Sequence, residues 1–259
     1  MSKPTDTQTC LRVFLGDVLI KVECRKLSEL ATIKGVFGEK FSVLCAPATL
    51  DALRERRLML TLISNYPEPL EEGLVEISAV SGFLVLRIGS PHFSIRIGQG
   101  VRGMFDIACW RESEVVIGDR TTSNGLRIIC DRSHFQCGED VMFSDSIIAQ
   151  TADQHGIVDL ASGAIINDKS TGVMLGDHVW IGCHVHLLHG ADIGTGAVIG
   201  MDSLVLGKVP PCSLAVGKPA RVIRTDMTWS RSPTNLDPFS KRLVQEFEQT
   251  HNIEPIAGR

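Results

Sequence analysis

No uninterrupted apolar stretch in this chain approaches the roughly 20 residues that a membrane-spanning helix needs, so no integral membrane segment is expected. The start, Met1-Ser2-Lys3-Pro4-Thr5-Asp6, lacks the cationic-then-apolar pattern of a secretory leader, and a cytoplasmic protein is expected. There is no cationic excess either. With 26 Lys+Arg against 30 Asp+Glu the formal net charge is −4, which argues against a protein that grips phosphate backbones; nucleic acid is not an expected partner. A close C-x-x-C pair is also missing. The eight cysteines (Cys10, Cys24, Cys45, Cys109, Cys130, Cys137, Cys183 and Cys212) are dispersed, as reduced structural thiols are, rather than grouped as a disulfide framework or zinc knuckle. What remains is an ordinary globular balance, 44% hydrophobic and 22% charged over 259 residues, enough for one large domain or two small ones.

Against those absences stands one strong regularity. Stepping by six from Ile117 gives Ser123, Ile129, Phe135, Val141 and Ile147; stepping by six from Leu175 gives Ile181, Leu187, Ile193, Ile199 and Val205. All but Ser123 are aliphatic or aromatic. Neither a helix, with period 3.6, nor an alternating strand, with period 2, selects a period of six. A short fixed repeat predicts a solenoid whose rungs stack on their neighbours. If each hexad makes one flat side of a prism, three hexads close a turn of about 18 residues. A second set two positions earlier, Val173, Val179, Val185, Ala191, Ala197 and Ser203, is small or β-branched, as a flat strand prefers. Gly176, Gly182, Gly194 and Gly200 follow the inward residue, where a corner needs positive φ or close backbone approach. The repeat breaks for 28 positions between Ile147 and Leu175, four hexads plus four, so this interval is not merely degenerate repeat.

The flanks differ from the repeat. Leu11 to Glu23 and Leu74 to Ile88 read as strands, and Thr49 to Leu60 carries Leu50, Leu53, Arg57 and Leu60 at helical spacing. Residues 1–82 are therefore expected to be a small mixed α/β domain, 83–225 the solenoid, and 226–259 an extension. In the extension, Phe239, Leu243, Val244 and Phe247 make one face of a helix after the turn-like Asp237-Pro238. That helix is expected to cover the open end of the solenoid or a neighbouring subunit.

The combination resembles the hexapeptide-repeat acyltransferases, in particular the sugar and polysaccharide O-acetyltransferase branch. The stretches that carry the likeness are Ser144-Asp145-Ser146-Ile147-Ile148, Ala152-Asp153-Gln154-His155-Gly156-Ile157-Val158-Asp159, and Ile166-Asn167. They continue through Leu175-Gly-Asp-His-Val-Trp-Ile-Gly182, the Ile-Gly hexads and Gly217-Lys218-Pro219-Ala220-Arg221-Val222-Ile223. The likeness spans about residues 83–225. It implies a mainly β fold, a left-handed parallel β-helix, with acetyl-CoA as co-substrate, a carbohydrate acceptor and a homotrimer whose sites lie between coils. Left-handedness comes from the family alone. Gly217-Lys218-Pro219 stands where Gly-Asn-Pro is more usual, and Gln154 where Ser or Gly often precedes the histidine.

Transfer of acetyl from a thioester to a hydroxyl needs a base, an oxyanion donor and a coenzyme groove. A neutral imidazole can take the hydroxyl proton and pass it to the leaving thiolate, which makes His155 the candidate base. A carboxylate is expected to orient it, and Asp153, Asp159 and Asp145 all lie near enough in sequence. Trp180 faces outward on its hexad, and in the resembling family this tryptophan lines the cleft beside the acetyl donor. Asn167 is a further polar candidate in the same loop, and backbone N–H groups are the expected oxyanion donors. By the same resemblance Gly200, Gly217, Lys218, Pro219, Ala220 and Arg221 line the coenzyme groove, with basic side chains meeting phosphates. His178, His184, His186 and His189 raise the possibility of zinc, since trimeric carbonic anhydrases share this fold. The position after Ile-Gly that should hold the first ligand is Cys183, however, so no metal is expected and these four histidines read as solvent-facing coil residues. Two rivals stand beside sugar O-acetylation: N-acetylation of an amino sugar or nucleotide sugar, and a non-catalytic solenoid scaffold.

Overall fold

A computed structural model describes residues 12–14, 17–167 and 171–251. Cys10 and the beginning of the Leu11–Glu23 strand lie outside the described residues. The chain winds as a parallel β-solenoid with three faces. One face is a ten-stranded sheet; a thirteen-stranded sheet makes the other two. In the earlier turns single strands run across both faces of that second sheet: Leu58–Ser64, Val80–Ile88, Val101–Cys109 and Thr122–Cys130. After Thr122–Cys130 they divide, Met142–Phe143 continuing one face and Ile147–Gln150 the other.

The six-residue reading holds strictly in the second tract. Leu175, Ile181, Leu187, Ile193, Ile199 and Val205 are all buried, and so is the companion set from Val173 to Ser203. Parallel pairing of Val173 with Ala191 gives the 18-residue turn that three hexads require. The first tract departs from it. Val115 pairs with Phe135, so the turn there has 20 residues, and the inside position belongs to Ile128 while Ile129 is only half-buried. Between Ser123 and Leu126 the offset to the preceding coil goes from 20 to 21 residues, and this shift moves the inward phase by one. A bulge adds an extra residue to one strand of a pair.

The corners also differ from expectation. Gly176, Gly182, Gly194 and Gly200 do not need positive φ; they need closeness. A Cβ on Gly182 would lie 2.7 Å from the Met201 nitrogen of the next coil. The left-handed backbone comes two residues later, at His178 (φ 51°), His184 (φ 57°), Gly190 (φ 84°), Gly196 (φ 73°) and Asp202 (φ 58°). Histidine and aspartate are among the few residues that enter this region readily.

The N-terminal segment is built into the same coil. Ser42–Cys45 pairs in parallel with Leu74–Ile77, which pairs with Phe93–Ile97; Leu58–Ser64 pairs with Val80–Ile88. The expected boundary at residue 82 thus falls inside the strand Val80–Ile88, and one apolar cluster from Leu27 to Ala215 runs through it. Asp17–Glu23 lies antiparallel on Ser42–Cys45 and ends the parallel stack on that side. The helix occupies Pro47–Arg54 rather than Thr49 to Leu60. Arg56, at φ 57°, turns the chain out, and Leu58 and Leu60 point inward on a strand. The C-terminal helix forms as expected over Pro238–His251, with Asp237 Oδ1 accepting from the Ser240 N–H at 2.8 Å as a capping side chain does. Its placement differs. It seats Phe239 on His178 and Leu243 against Gly196, on the flank of the coil rather than over its open end.

Candidate active site

The interruption of the repeat is a built hairpin. The chain leaves the coil after Ile147–Gln150 and re-enters at Val173–Leu175, where Phe135 pairs with Val173 as if the intervening loop were absent. A bridge joins Val158 to Ile165. Asp159 shapes the turn between them: its Oδ1 accepts from both the N–H and the hydroxyl of Ser162, each at 2.7 Å. Those bonds hold the Asp159 carboxyl below its ordinary range. Asn167 closes the neck. Its Nδ2 donates to Asp153 Oδ2 and to the His155 carbonyl, both at 2.9 Å, while its Oδ1 accepts the Ile157 N–H at 2.7 Å.

His155 stands in this loop with its backbone fixed and its side chain exposed. Its imidazole makes no hydrogen bond to a described residue. The three carboxylates considered for it are engaged elsewhere: Asp153 with Asn167, Asp159 with Ser162, and Asp145 with the Ser146 hydroxyl at 3.0 Å. Among the described residues, then, the hydrogen bond that holds His155 is from Asn167 to its carbonyl. The tip of the hairpin is apolar and exposed, with Leu160 at 96% and Ile157, Val158, Ile165 and Ile166 all more than half exposed.

Trp180 faces outward as expected, in a lateral row with Met142, Val198 and Leu214. Its Nε1 donates to Ser144 Oγ at 3.2 Å. Beside it lies a cavity of about 580 Å³, walled on the far side by residues 227–236 of the C-terminal extension, including Met227, Trp229, Pro233 and Leu236. The extension is pinned by a residue expected from sequence to face solvent. His178 is fully buried: Nδ1 is 2.7 Å from Asp140 Oδ2, and Nε2 donates to the Trp229 carbonyl at 2.9 Å. Its ring is stacked between Trp229 (4.3 Å) and Phe239 (4.6 Å). Arg231 Nε completes the group with a 2.8 Å bond to Asp140 Oδ1. Burial alone would raise the Asp140 carboxyl, but the bonds from His178 and Arg231 outweigh it and hold the pKa below the ordinary value. Sequence reading misses this group, because its members lie far apart and Trp229 and Arg231 follow the last hexad with no repeat to mark them.

The residues expected to hold the coenzyme fall in two places. Ser213–Gly217 and Ala220–Thr225 form a hairpin around Lys218-Pro219, and Pro219, Ala220 and Arg221 line a cavity of about 330 Å³ together with Lys208. Lys218 Nζ instead approaches Asp202 Oδ1 at 3.8 Å, which also faces His184 Nδ1 at 3.8 Å. Gly200 lies apart, under the Val216 side chain. His184 is exposed, and His186 and His189 are half-buried. Among the described residues no three His, Cys, Asp or Glu side chains gather as a metal would need. The thiols of Cys45 and Cys137 are buried and quiet, since burial pushes both up to about 12. No helix among the described residues is long and apolar enough to cross a membrane.

Comparison with known proteins now bears on this geometry. Residues 172–207 match the model of the bacterial transferase hexapeptide repeat. Over 139 residues the chain is 32% identical to the polysialic acid O-acetyltransferase of Escherichia coli O1:K1, an alignment covering 53% of this chain and 45% of that one. A putative acetyltransferase of Staphylococcus aureus (strain COL) is 46% identical over 57 residues, 22% of this chain and 29% of its own. The chain thus spans less than half the length of these curated relatives. The crystal structure of the polySia-specific acetyltransferase NeuO superposes with a TM-score of 0.66 at 25% identity, over 74% of this chain and 90% of that one. The expected left-handed parallel β-helix is borne out, and with it the resemblance read from the hexads.

Proposed function

We propose, from the premise that this chain is a hexapeptide-repeat protein of the left-handed β-helix class, that it transfers an acetyl group from acetyl-CoA to a sugar hydroxyl of a polysaccharide in the cytoplasm. The observation that carries the reading is the His155 hairpin. From Phe135 to its pairing partner Val173 the chain takes 20 residues more than a regular 18-residue turn. That excursion is held at its neck by one carboxamide, and it presents an imidazole with no hydrogen-bond partner among the described residues. A histidine kept for packing would have its ring nitrogens occupied, as those of His178 are. The polysialic acid O-acetyltransferases among its relatives favour oxygen over nitrogen as the acceptor atom.

In this reading the neutral imidazole of His155 takes the proton of the acceptor hydroxyl as its oxygen attacks the thioester carbonyl. The tetrahedral intermediate collapses, the carbon–sulfur bond breaks, and the imidazolium returns the proton to the thiolate. Asn167 serves as the positioning residue, fixing the His155 backbone, and Asp153 in turn holds the Asn167 amide. Asp145 and Asp159 keep structural parts at a corner and a turn. Acetyl-CoA supplies the activated acyl group. The residues suit it: an apolar slot beside Trp180 for the pantetheine arm, and Arg221 with Lys208 at the last coil for phosphates, with Lys218, Gly200 and Gly217 flanking. The exposed apolar hairpin tip favours a second copy as its cover, in keeping with a homotrimer.

The test is mass spectrometry of glycans, including sialic acid oligomers and amino sugars, incubated with the protein and acetyl-CoA. Acetyl esters that vanish with His155→Ala support the reading. Unchanged transfer by that variant would discard the base assignment, and acetyl amides would move the function to N-acetylation. Light scattering gives the number of copies.

A further inference from the structure

The corner at which the His155 hairpin leaves the coil is continuous with a ridge running down three earlier turns. Ile88, Cys109 and Cys130 pair in register, so the residues after them, Gly89, Trp110 and Asp131, stack one above another. The Gly89 N–H donates to the Cys109 carbonyl and the Trp110 N–H to the Cys130 carbonyl. The Asp131 N–H reaches Thr151 Oγ1, the last residue before the hairpin, at 3.2 Å. At the strand spacing of a β-sheet, three such steps cover about 14 Å.

A cavity of about 410 Å³ opens along this ridge, lined by Gly89, Trp110, Arg111, Asp131 and Gln154. Trp110 and Arg111 are fixed in advance. The Trp110 ring lies against Gly89, where any Cβ would collide with it. Arg111 is held in bidentate fashion by the buried Asp131, Nε to Oδ1 at 2.8 Å and Nη2 to Oδ2 at 2.5 Å. That leaves Nη1 without a bond to a described residue, on a side chain 55% exposed. Gln154 comes from the hairpin itself and is the immediate neighbour of His155. A flat aromatic face, a planar donor fork locked by a carboxylate and a carboxamide are the groups that recognise a pyranose: its C–H face, and its hydroxyls or a ring carboxylate.

We propose that this ridge cavity binds a non-reacting sugar unit of the acceptor, so that the protein favours oligomeric or polymeric glycans over single sugars. The inference rests on the acetyl-transfer reading for its catalytic consequence, but its binding is measurable without turnover. Because none of the residues lining the cavity takes or gives a proton or an acyl group in the proposed reaction, its contacts strengthen ground state and transition state alike and act on KM rather than kcat.

The experiment titrates His155→Ala protein with sialic acid oligomers, neutral hexose oligomers and the corresponding monosaccharides, by calorimetry or saturation-transfer NMR. At least one oligomer is expected to bind more tightly than its monosaccharide. Adding Trp110→Ala should then weaken that oligomer roughly tenfold, as loss of one anchoring aromatic contact does. In the otherwise unchanged enzyme, Trp110→Ala should raise KM for that oligomer by a similar factor, with the loss in KM and not in kcat. Gln154→Ala, an exposed change on the loop, should weaken the same oligomer and decides the matter if Trp110→Ala fails to fold. Equal affinity for oligomers and monosaccharides, or oligomer binding indifferent to both substitutions, overturns the subsite. Transfer that survives His155→Ala would instead defeat the catalytic reading, with the binding result still standing on its own.

Discussion

Two histidines, 23 residues apart in sequence, occupy opposite situations in this molecule. His155 has its backbone tied and its ring without a hydrogen bond to any described residue; His178 has its ring tied at both nitrogens and is completely enclosed. The first sits on a hairpin that the coil tolerates without altering its register. The second sits at a coil corner, in left-handed backbone, where the C-terminal extension closes over it. The contrast separates reactivity from architecture. On the proposed reading, the histidine that exchanges protons is the one kept open, while the one that joins segments has both ring nitrogens bonded.

Substitution at each histidine should give opposite signatures. His155→Ala should lower the acetyl-transfer rate about 10²- to 10⁴-fold, the usual contribution of general base catalysis, with the thermal transition unmoved. A stability loss with activity retained would erase the contrast. His178→Ala should do the reverse. It leaves the Asp140 carboxylate and the Trp229 carbonyl short of a buried partner and removes the ring between Trp229 and Phe239, costing about 2–4 kcal/mol in a denaturant titration.

Asn167→Ala probes the backbone tie. Freed from its neck, the loop should misplace His155, lowering kcat about tenfold or more, since small displacements at a reacting centre are expensive. The smallest effect is expected at Asp237, which caps the C-terminal helix. Burial alone would raise its carboxyl, but bonds from Ser240 and the Arg231 N–H bring the pKa to about 2. A depressed folded-state pKa contributes stability above the unfolded value and loses it as pH falls through the folded one. Asp237→Asn should therefore cost about 1 kcal/mol near neutrality, with the difference from the parent shrinking between about pH 4 and pH 2. Thermal melts across that interval measure it.

Much of this architecture is legible in the sequence. The hexads from Leu175 to Val205 name their inward residues without error, because each residue meets only its counterpart one turn away and spacing alone sets the contact. Ile129 is misplaced by the same rule in reverse: one bulge shifts the phase, and a fixed step of six cannot sense it. The long two-face strands between residues 58 and 130 hide their coil because their turns, 20 to 24 residues long, carry no hexad. The motif around His155 points to the histidine, but not to its holder. Asn167 reads from sequence only as a polar candidate, while the structure makes it the contact that ties His155 in place.

By itself the sequence determined the repeat, the inward positions of the later coils, the interruption and the histidine within it. All of these follow from local spacing and near-neighbour stacking. Tertiary structure alone decided that the N-terminal strands join the same coil, that His178 is a buried joint rather than a surface residue, and that Trp110, Arg111, Asp131 and Gln154 share one cavity. Those outcomes depend on groups separated by tens of residues along the chain. Side-chain chemistry permits such meetings, but only the path of the coil brings them about.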